Sequence, residues 1–424
     1  MRLVILASVC LPAAAFAADT TLTFDQAIAT ARAHHPQLRQ ARAQNDVADA
    51  RADQARAPLL PQLSGSARYT HSEAEGTTNG GINTTTGTIV GNLWSFGLNA
   101  SQLIWDFGRT TGNWDAAKAN AVAQEASGRV IEKTVILNVR TAYFTARADK
   151  ALLEVAKETL ANQEKHLQQV VSFIEVGTRP EIDRAQSKTD VANARLAMIR
   201  ADNAYAVAKA QLNLAMGVVQ PTSYDVADET VPEVAGEDGG TDDLVAEAIR
   251  SRPELAQLRA QIDAQDASIR AAKGDYFPSI SASAAAAESG PGLDSLGWSW
   301  NVGVSLTWPI FSGFATRSNV RAAEATRVVI DAQTEAERQQ VRLEVEQARL
   351  GVVSAKSEIG AAEEALVNAR ERLRLAEGRY QTGVGNIIEL GDAQVAVTNA
   401  AAQKVQADYD LATARVTLLS TLGR

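Results

Sequence analysis

The feature that most constrains the fold of this chain is an internal duplication. "HHPQL" and "LLPQL" in the first half match "SRPEL" and "YFPSI" in the second, since Pro36 and Pro253 lie 217 residues apart, as do Pro61 and Pro278. Further on, "DAAKA", "VANA" and "MG" match "RAAEA", "VTNA" and "LG" at an offset of 206, so the first copy holds 11 additional residues between Pro61 and Asp115. Such a chain is predicted to fold as two copies of one structural unit.

The duplication divides the chain into four segments. Residues 1–17 precede the first copy, which covers residues 18–217, and the second copy covers residues 241–424. Residues 218–240 lie between the copies and read "VVQPTSYDVADETVPEVAGEDGG". The proline, glycine and acidic residues of this segment predict a linker rather than a third copy.

The first residues, "MRLVILASVCLPAAAFA", have the pattern of a secretory signal peptide. Arg2 precedes an apolar run over residues 3–11, and small residues at A-x-A spacing predict cleavage after Ala17. The alternative is a lipoprotein anchored through Cys10, although Val9 is a poor residue before a lipidated cysteine. Because Cys10 is the only cysteine, a mature chain beginning after Ala17 has neither a disulfide nor a thiolate metal site.

Composition limits the classes of protein that remain. Hydrophobic residues make up 46% of the 424 residues but aromatic ones only 5%, which favours long, closely packed helices over a thick globular core. Lys and Arg number 41 against 50 Asp and Glu, and without a basic stripe no nucleic-acid partner is expected. No apolar run beyond the signal approaches the roughly 20 residues of a membrane-spanning helix. An exported chain of this kind is periplasmic, secreted or an outer-membrane barrel.

Each copy shows the same order of predicted elements. A helix of about 35 residues, Phe24 to Ala57 or Asp243 to Lys273, ends ahead of a proline. Two strands follow, then a very long helix, a turn and a last helix. In the first copy the long helix is predicted from about Thr111 to Val176, with apolar residues at spacings of three and four, and would reach roughly 95 Å. Such a helix must pack as a coiled coil.

The second strand of each copy alternates apolar and small polar residues. "NLWSFGLNASQL" and "LGWSWNVGVSLTWPIF" show strict period-two patterning with aromatic ends, which is typical of transmembrane barrel strands. The first strands, Gln62 to His71 and Ser279 to Glu288, show it more weakly. The alternative is a soluble antiparallel sheet with one wet face. The residues predicted to face lipid are Trp94, Phe96, Leu98, Trp298, Trp300, Val302, Val304, Leu306 and Trp308.

Four strands cannot close a barrel, and open strand edges are not tolerated in lipid. Several chains are therefore predicted to contribute strands to one shared barrel.

The sequence resembles the TolC family of outer-membrane efflux proteins over nearly the whole mature chain. The resemblance rests on the tandem repeat, on "LPQL" and "FPSI" before the first strands, on "LIWDFGR" and "WPIFSGF" after the second strands, and on the turns "VGTRPEID" and "TGVGNIIELGDAQ". The second copy departs from the family at Ser312-Gly313-Phe314, where Asp-x-Gly is common. The strand exit is therefore predicted to pack differently there.

The resemblance implies a fold and a function. The expected fold is mostly α-helical, with long coiled-coil helices forming a periplasmic tunnel and four strands per chain entering a trimeric, twelve-stranded barrel. The expected role is an exit duct in the outer membrane of a Gram-negative bacterium, serving a tripartite efflux or type I secretion system. Its partners would be two further copies of the chain, a periplasmic adaptor, an inner-membrane pump and outer-membrane lipid. Drugs, metal ions and unfolded polypeptides all remain open as cargo.

Two acidic residues follow the second turn. Glu389 and Asp392 lie three residues apart at a helix start, where carboxylates complement the helix dipole. The resemblance implies a sharper role, since acidic residues at these positions ring the periplasmic tunnel entrance, and three chains would supply six carboxylates that select cations. Asp183 is the equivalent of Glu389 in the first copy, whereas Gln186 replaces Asp392 there. The family commonly has aspartate in place of Glu389, so its longer side chain is expected to change the entrance.

The two turns themselves are candidate docking tips for the adaptor. Their glycines and small residues allow the backbone of another helical hairpin to approach closely. Arg179 is either a contact for the partner or merely solvated. The predicted tip residues are Val176, Gly177, Thr178, Arg179, Thr382, Gly383, Val384 and Gly385.

Nothing in the sequence indicates catalysis or a cofactor. The adjacent His34 and His35 point to different sides of a helix, and four histidines without a mature thiol show no metal-ligand spacing. No Ser-His-Asp or paired-carboxylate pattern occurs. The chain is therefore not expected to be an enzyme. The alternative to a channel is a secreted or periplasmic coiled-coil scaffold or adaptor, which would need neither the full duplication nor the tryptophan strands.

Overall fold

A computed structural model describes residues 21–80, 83–219 and 221–424, with side chains in those ranges except over residues 74–90. The predicted signal peptide and Cys10 lie outside the described residues. No helix in these ranges is both long and apolar enough to cross a membrane.

The elements repeat in the predicted order. The first copy comprises β1 Thr21–Leu22, α1 Phe24–His34, α2 Pro36–Arg56, β2 Gln62–Gly80, β3 Asn83–Trp105, α3 Arg109–Glu175 and α4 Glu181–Met216. The linker contains β4 Asp225–Val226. The second copy comprises α5 Thr241–Ser251, α6 Pro253–Gly274, β5 Ser279–Gly290, β6 Gly297–Thr307, α7 Ala315–Gln381 and α8 Ile387–Thr421.

The first helix of each copy is broken where a single helix was predicted. His35 has φ −63° and ψ 125°, and Arg252 has φ −68° and ψ 126°, so both are extended. Each precedes a proline, whose ring disfavours the helical conformation of the preceding residue. Pro36 and Pro253 then begin the next helix, where a missing N–H costs nothing. The prediction of one uninterrupted helix was therefore wrong, although the sequence held the signal for the break.

Two compact units can be distinguished, and each draws on both copies. The first consists of the residues up to Ala41, Arg129–Arg252 and Arg338–Arg424; the second consists of Arg42–Gly128 and Pro253–Glu337. The boundaries of the compact units therefore differ from the boundaries of the two sequence repeats.

The second unit holds a four-stranded antiparallel sheet of order β2-β3-β5-β6. In its register Ala67 lies opposite Phe96, Leu98 opposite Ala286, and Ala286 opposite Trp300. Alternate residues share a face, so Phe96, Leu98 and Trp300 lie on the same side of the sheet. Strands β2 and β6 each have one neighbour among the described strands, which leaves an open edge on both sides.

The first unit contains the linker, which is an ordered part of the fold. Strand β4 pairs in parallel with β1. Farther along, Glu237 is 2% exposed and accepts hydrogen bonds from Arg415 Nη2 at 2.8 Å and from the Val234 N–H at 2.9 Å, while Lys356 Nζ lies 2.8 Å from its Oε1. Burial alone would raise the pKa of Glu237, but the hydrogen bonds from Arg415 and Lys356 outweigh it and lower the pKa. This buried ion cluster holds the linker on α7 and α8.

We expect Glu237→Ala to lower the free energy of unfolding by about 3 kcal/mol, because it leaves Arg415 without its buried partner. Thermal unfolding followed by circular dichroism measures the change. Glu233→Ala is the matched control, since Glu233 is mostly exposed and lies 3.6 Å from the same guanidinium, and it should cost less than about 1 kcal/mol. The contribution of Glu237 is present above the ordinary pKa of glutamate and should vanish as the pH falls through the lowered pKa. Equal losses in both variants would contradict this role.

Candidate functional site

The predicted tip turns lie between α3 and α4 and between α7 and α8. In both, a glycine adopts a left-handed conformation, with φ 78° at Gly177 and 82° at Gly383. The N–H of the next residue then returns to a carbonyl five residues earlier, from Thr178 to Phe173 at 2.9 Å and from Val384 to Arg379 at 3.0 Å. This is the backbone pattern that ends helices at a left-handed glycine. The repeat therefore reproduces the same turn twice.

Asn386 fixes the start of α8. Its side-chain oxygen accepts a hydrogen bond from the Glu389 N–H at 2.7 Å, which makes Asn386 the N-cap. Glu389 is the acidic residue of the first turn, whereas Asp392 lies one turn later and is exposed. The helix dipole thus accounts for Glu389 but not for Asp392.

Glu389 also has a partner within the chain. Its Oε1 lies 3.1 Å from Arg379 Nε, and both side chains are substantially exposed. Such an exposed pair contributes little to stability. It does set the charge that the α7–α8 turn itself contributes, which comes from the carboxylates of Glu389 and Asp392 and the guanidinium of Arg379.

Asp183 does not share the exposure of Asp392. It is 5% exposed, and its Oδ2 accepts a hydrogen bond from the Tyr380 hydroxyl at 3.1 Å. Tyr380 is itself 2% exposed; burial and the charge of Asp183 raise the pKa of Tyr380 to about 12. The tyrosine therefore remains a neutral donor throughout the physiological range. The structure separates Asp183 from the two acidic residues with which it was grouped.

Arg179 is not merely solvated, whereas its role as a contact for a partner stays a prediction. Its guanidinium carbon lies 4.0 Å from the centre of the Tyr380 ring, and Nη2 donates to the carbonyls of Tyr380 and Gly385. A guanidinium at a helix C-terminus is favoured both by the helix dipole and by the free carbonyls there. Arg179 therefore joins the first tip to the second. We call Arg179, Asp183 and Tyr380 the latch.

A small apolar cluster surrounds the latch. Val170, Ala376, Leu390 and Ala393 are buried beside Tyr380. Tyr380 was not predicted as a functional residue, although it is an aromatic residue one position before the end of a 67-residue helix in a chain poor in aromatic residues. Its position at the end of the helix is the sequence feature that could have identified Tyr380.

Four apolar side chains at the tips are exposed. Their exposed fractions run from 68% for Ile388 to 74% for Val176, with Ile182 and Val384 between these values. Ile182 and Ile388 are equivalent positions in the two copies, at the offset of 206. The sequence analysis named the turns but not these isoleucines.

The residues predicted to face lipid, apart from Trp308, lie on one face of the sheet. Most are exposed in the single chain, although Trp94 is half-buried against Tyr69, with ring centroids 4.6 Å apart. Trp308 follows the last residue of β6. Over the ten residues from Trp298 to Trp308, a strand tilted by about 40° would rise roughly 25 Å along the barrel axis. This rise equals the usual height of the apolar band on the outside of a transmembrane barrel. Glu288 departs from the pattern, because its register places it on this face between Phe96 and Trp298.

The strand exits share positive φ at equivalent positions but pack differently, as predicted, since Phe107 stacks on Phe277 whereas Phe314 meets Phe311 edge to face. Phe107 and Gly108 have positive φ in the first, as do Gly313 and Phe314 in the second. Asp106 caps α3 by accepting from the Thr110 N–H at 2.7 Å. Ser312 accepts from the Thr316 N–H at 3.4 Å, so the serine retains the capping contact with a longer bond.

The comparisons with known proteins agree on one family. The profile of the family described as outer membrane efflux protein matches residues 27–218 and 244–424. The solvent efflux pump outer membrane protein SrpC of Pseudomonas putida is 26% identical over 338 residues, which cover 79% of this chain and 72% of SrpC.

Solved structures show the same fold. A membrane protein from Pseudomonas aeruginosa matches with a TM-score of 0.81 at 23% identity, over 94% of this chain and 90% of that chain. CusC, a protein whose structures concern transmembrane channel formation, matches with a TM-score of 0.79 at 24% identity, over 94% and 92%. The predicted fold class is therefore confirmed.

Proposed function

This chain belongs to the outer membrane efflux protein family, as its resemblance to the TolC family predicted, and from this premise we propose that three copies form an efflux channel through the outer membrane. The observation that carries the proposal is the four-stranded sheet with two open edges and one apolar, aromatic face. Three such sheets supply twelve strands, which close without a free edge. The long helices of the three chains would form the tunnel on the periplasmic side. A coiled-coil scaffold does not require a sheet with an apolar, aromatic face.

A pair of substitutions on neighbouring residues tests which face meets lipid. Val304→Arg places a charge on the apolar face, where it should cost about 2–4 kcal/mol near the centre of the bilayer. Ser305→Arg places the same charge on the opposite face, inside the proposed barrel, and should be tolerated. Trimer yield from outer-membrane fractions, read by heat-modified gel mobility, measures both. If the two arginines have equal effects, or the wild-type chain is a monomer at every detergent concentration, the channel proposal fails.

The chain is proposed to work with a periplasmic adaptor and an inner-membrane pump. In support, the relative SrpC is named as part of a solvent efflux pump, and another relative, TtgI, is named as part of a toluene efflux pump. We accordingly propose small apolar compounds as cargo rather than polypeptides. This role needs no catalytic residue in this chain.

The tips are proposed to receive the adaptor. The exposed Val176, Ile182, Val384 and Ile388 offer apolar surface, and a Cβ added at Gly177 or Gly383 would meet no atom within 4 Å. Open space above a left-handed glycine lets a second backbone approach closely.

Gly177→Leu and Gly383→Leu should abolish efflux while trimer assembly stays normal, because a bulky side chain occupies that space and the left-handed backbone disfavours it. Cellular accumulation of a fluorescent pump substrate measures the effect. Gly177→Asn is the control, since asparagine tolerates this conformation and is smaller, and it should retain more efflux than the leucine variant. Full efflux in both leucine variants would place the docking site elsewhere.

The latch is proposed to hold the periplasmic end of the tunnel closed. It joins the α3–α4 hairpin to the α7–α8 hairpin through Arg179, Asp183 and Tyr380, and opening the end requires the hairpins to separate. Glu389 and Asp392 are proposed to line the entrance and to select cations. Since Arg379 pairs with Glu389, the net charge of the entrance would be −1 per chain.

A further inference from the structure

His166 lies directly beside the latch. It is on α3, is 7% exposed, and its ring meets that of Tyr380 edge to face, with centroids 5.5 Å apart and planes at 66°. Because Tyr380 also donates to Asp183, a displacement of the imidazole is transmitted to the latch.

A polar cavity of about 220 Å³ opens next to the imidazole, between α3, α7 and α8. Gln163 is buried at its base and donates to Gln394 Oε1 at 2.9 Å, while its own Oε1 has no partner among the described residues. An unpartnered buried carbonyl in a cavity of this size is a place for ordered water. His166 therefore has a polar cavity beside it into which a charged ring can turn.

Every neighbouring helix contributes to the electrostatic surroundings of His166. From α4, the negative charges of Asp183 and Asp190 favour a protonated imidazole, and so does a hydrogen bond with Gln169 on α3 itself. The mouth of the cavity carries charges of both signs from α3 and α7, and α8 contributes no titratable group. The charged residues of the mouth are Glu158, Lys165, Arg370 and Glu377.

We propose that His166 makes the latch sensitive to acid, because its imidazole can be buried against Tyr380 only while it is neutral. On protonation the ring turns into the cavity, Tyr380 loses its edge contact, and the tunnel end opens more readily. The proposal rests on the proposed function of the latch and describes its regulation.

The sign of the effect follows from burial. Desolvation lowers the pKa of His166 in the latched state, and the attraction of Asp190 and Asp183 offsets only part of this shift. In an open state that exposes the ring, the pKa returns toward about 6.5. Protons favour the state with the higher pKa. Acidification below about pH 6.5 therefore shifts the equilibrium toward the open state, and at pH 7.5 protonation of the histidine has little effect.

Open fraction in planar bilayers, with the periplasmic side taken from pH 7.5 to 5.0, tests the proposal. The wild-type channel should open about threefold more often at pH 5.0 than at pH 7.5, because protons favour the open state, in which the imidazole has the higher pKa. His166→Gln, which lacks the ring that contacts Tyr380, should already open more often than the wild type at pH 7.5 and should show no further rise on acidification. His71→Gln, which changes a histidine of β2, is the matched control and should keep the rise. A flat wild-type profile, or a rise that survives in His166→Gln, overturns the proposal.

Two further measurements keep the outcome unambiguous. If His166→Gln does not assemble, NMR titration of the wild-type protein with labelled histidine is decisive, because the chain has only four histidines to follow. In this titration, Tyr380→Phe should raise the pKa of one of them. Unmoved titrations contradict the proposal. Tyr380→Phe also separates the proposal of the latch from the proposal of its regulation by His166. If Tyr380→Phe raises the open fraction at pH 7.5 while the wild type shows no pH response, the result supports the latch and contradicts the role of His166. If Tyr380→Phe leaves the open fraction unchanged at every pH, the result contradicts the role of the latch.

Discussion

Tyr380→Phe combined with Arg179→Ala is expected to raise the open fraction of the channel at pH 7.5 by about tenfold or more. The first change removes the hydroxyl that donates to Asp183 and leaves a buried carboxylate without this partner. The second removes the guanidinium that covers the ring and donates to the carbonyls of Tyr380 and Gly385. Hydrogen bonds to charged groups contribute about 1.5–3 kcal/mol each, and about 1.4 kcal/mol shifts an equilibrium tenfold.

Single-channel currents in planar bilayers measure this effect. Tyr409→Phe is the matched control, because its hydroxyl also contacts another helix, at Thr145 Oγ1 at 3.4 Å, but has no part in the latch. This control should leave the open fraction unchanged. An intact trimer that carries both latch substitutions and conducts like the wild type would falsify the role of the latch.

Glu389→Gln combined with Asp392→Asn should abolish cation preference and reverse it toward anions. The substitutions remove six formal charges from a trimer with little change in side-chain size, so the width of the entrance stays the same. The paired Arg379 remains, and the net charge changes from −1 to +1 per chain. At an effective dielectric constant of about 20, unit charges a few ångströms away are worth several kcal/mol, so the cation-to-anion permeability ratio should fall about tenfold or more.

Reversal potentials in a salt gradient measure the ratio. The wild-type channel should also be blocked by multivalent cations from the periplasmic side, and the double variant should not. Glu371→Gln with Asp410→Asn removes as many charges from α7 and α8 away from the turn, and should preserve most of the preference. Unchanged reversal potentials in the entrance variant would instead leave Glu389 a helix-start role, worth about 0.3–1 kcal/mol, and would leave Asp392 without a role in selectivity.

The sequence by itself determined the parts of this protein that depend on local patterns. The duplication, the element order and the tip turns follow from periodicity and from the positions of proline and glycine, which act within a few residues. The alternation in β3 and β6 also predicted which residues share a face. The breaks at His35 and Arg252 were missed because the helical periodicity continues across both prolines, although the restriction that proline places on the preceding residue is equally local.

Only the tertiary structure decided which side chains meet. Tyr380 and Asp183 lie 197 residues apart, and Arg179 and Gly385 lie 206 apart. Asp183 and Glu389 are equivalent by repeat and carry the same charge, yet one is buried against a tyrosine and the other is paired at the surface. Their surroundings depend on how four long helices pack, and that packing is the sum of many weak contacts distant in sequence. The sequence therefore gives the charge of each repeated carboxylate, but only the packing of the helices decides whether it is buried and which residue it contacts.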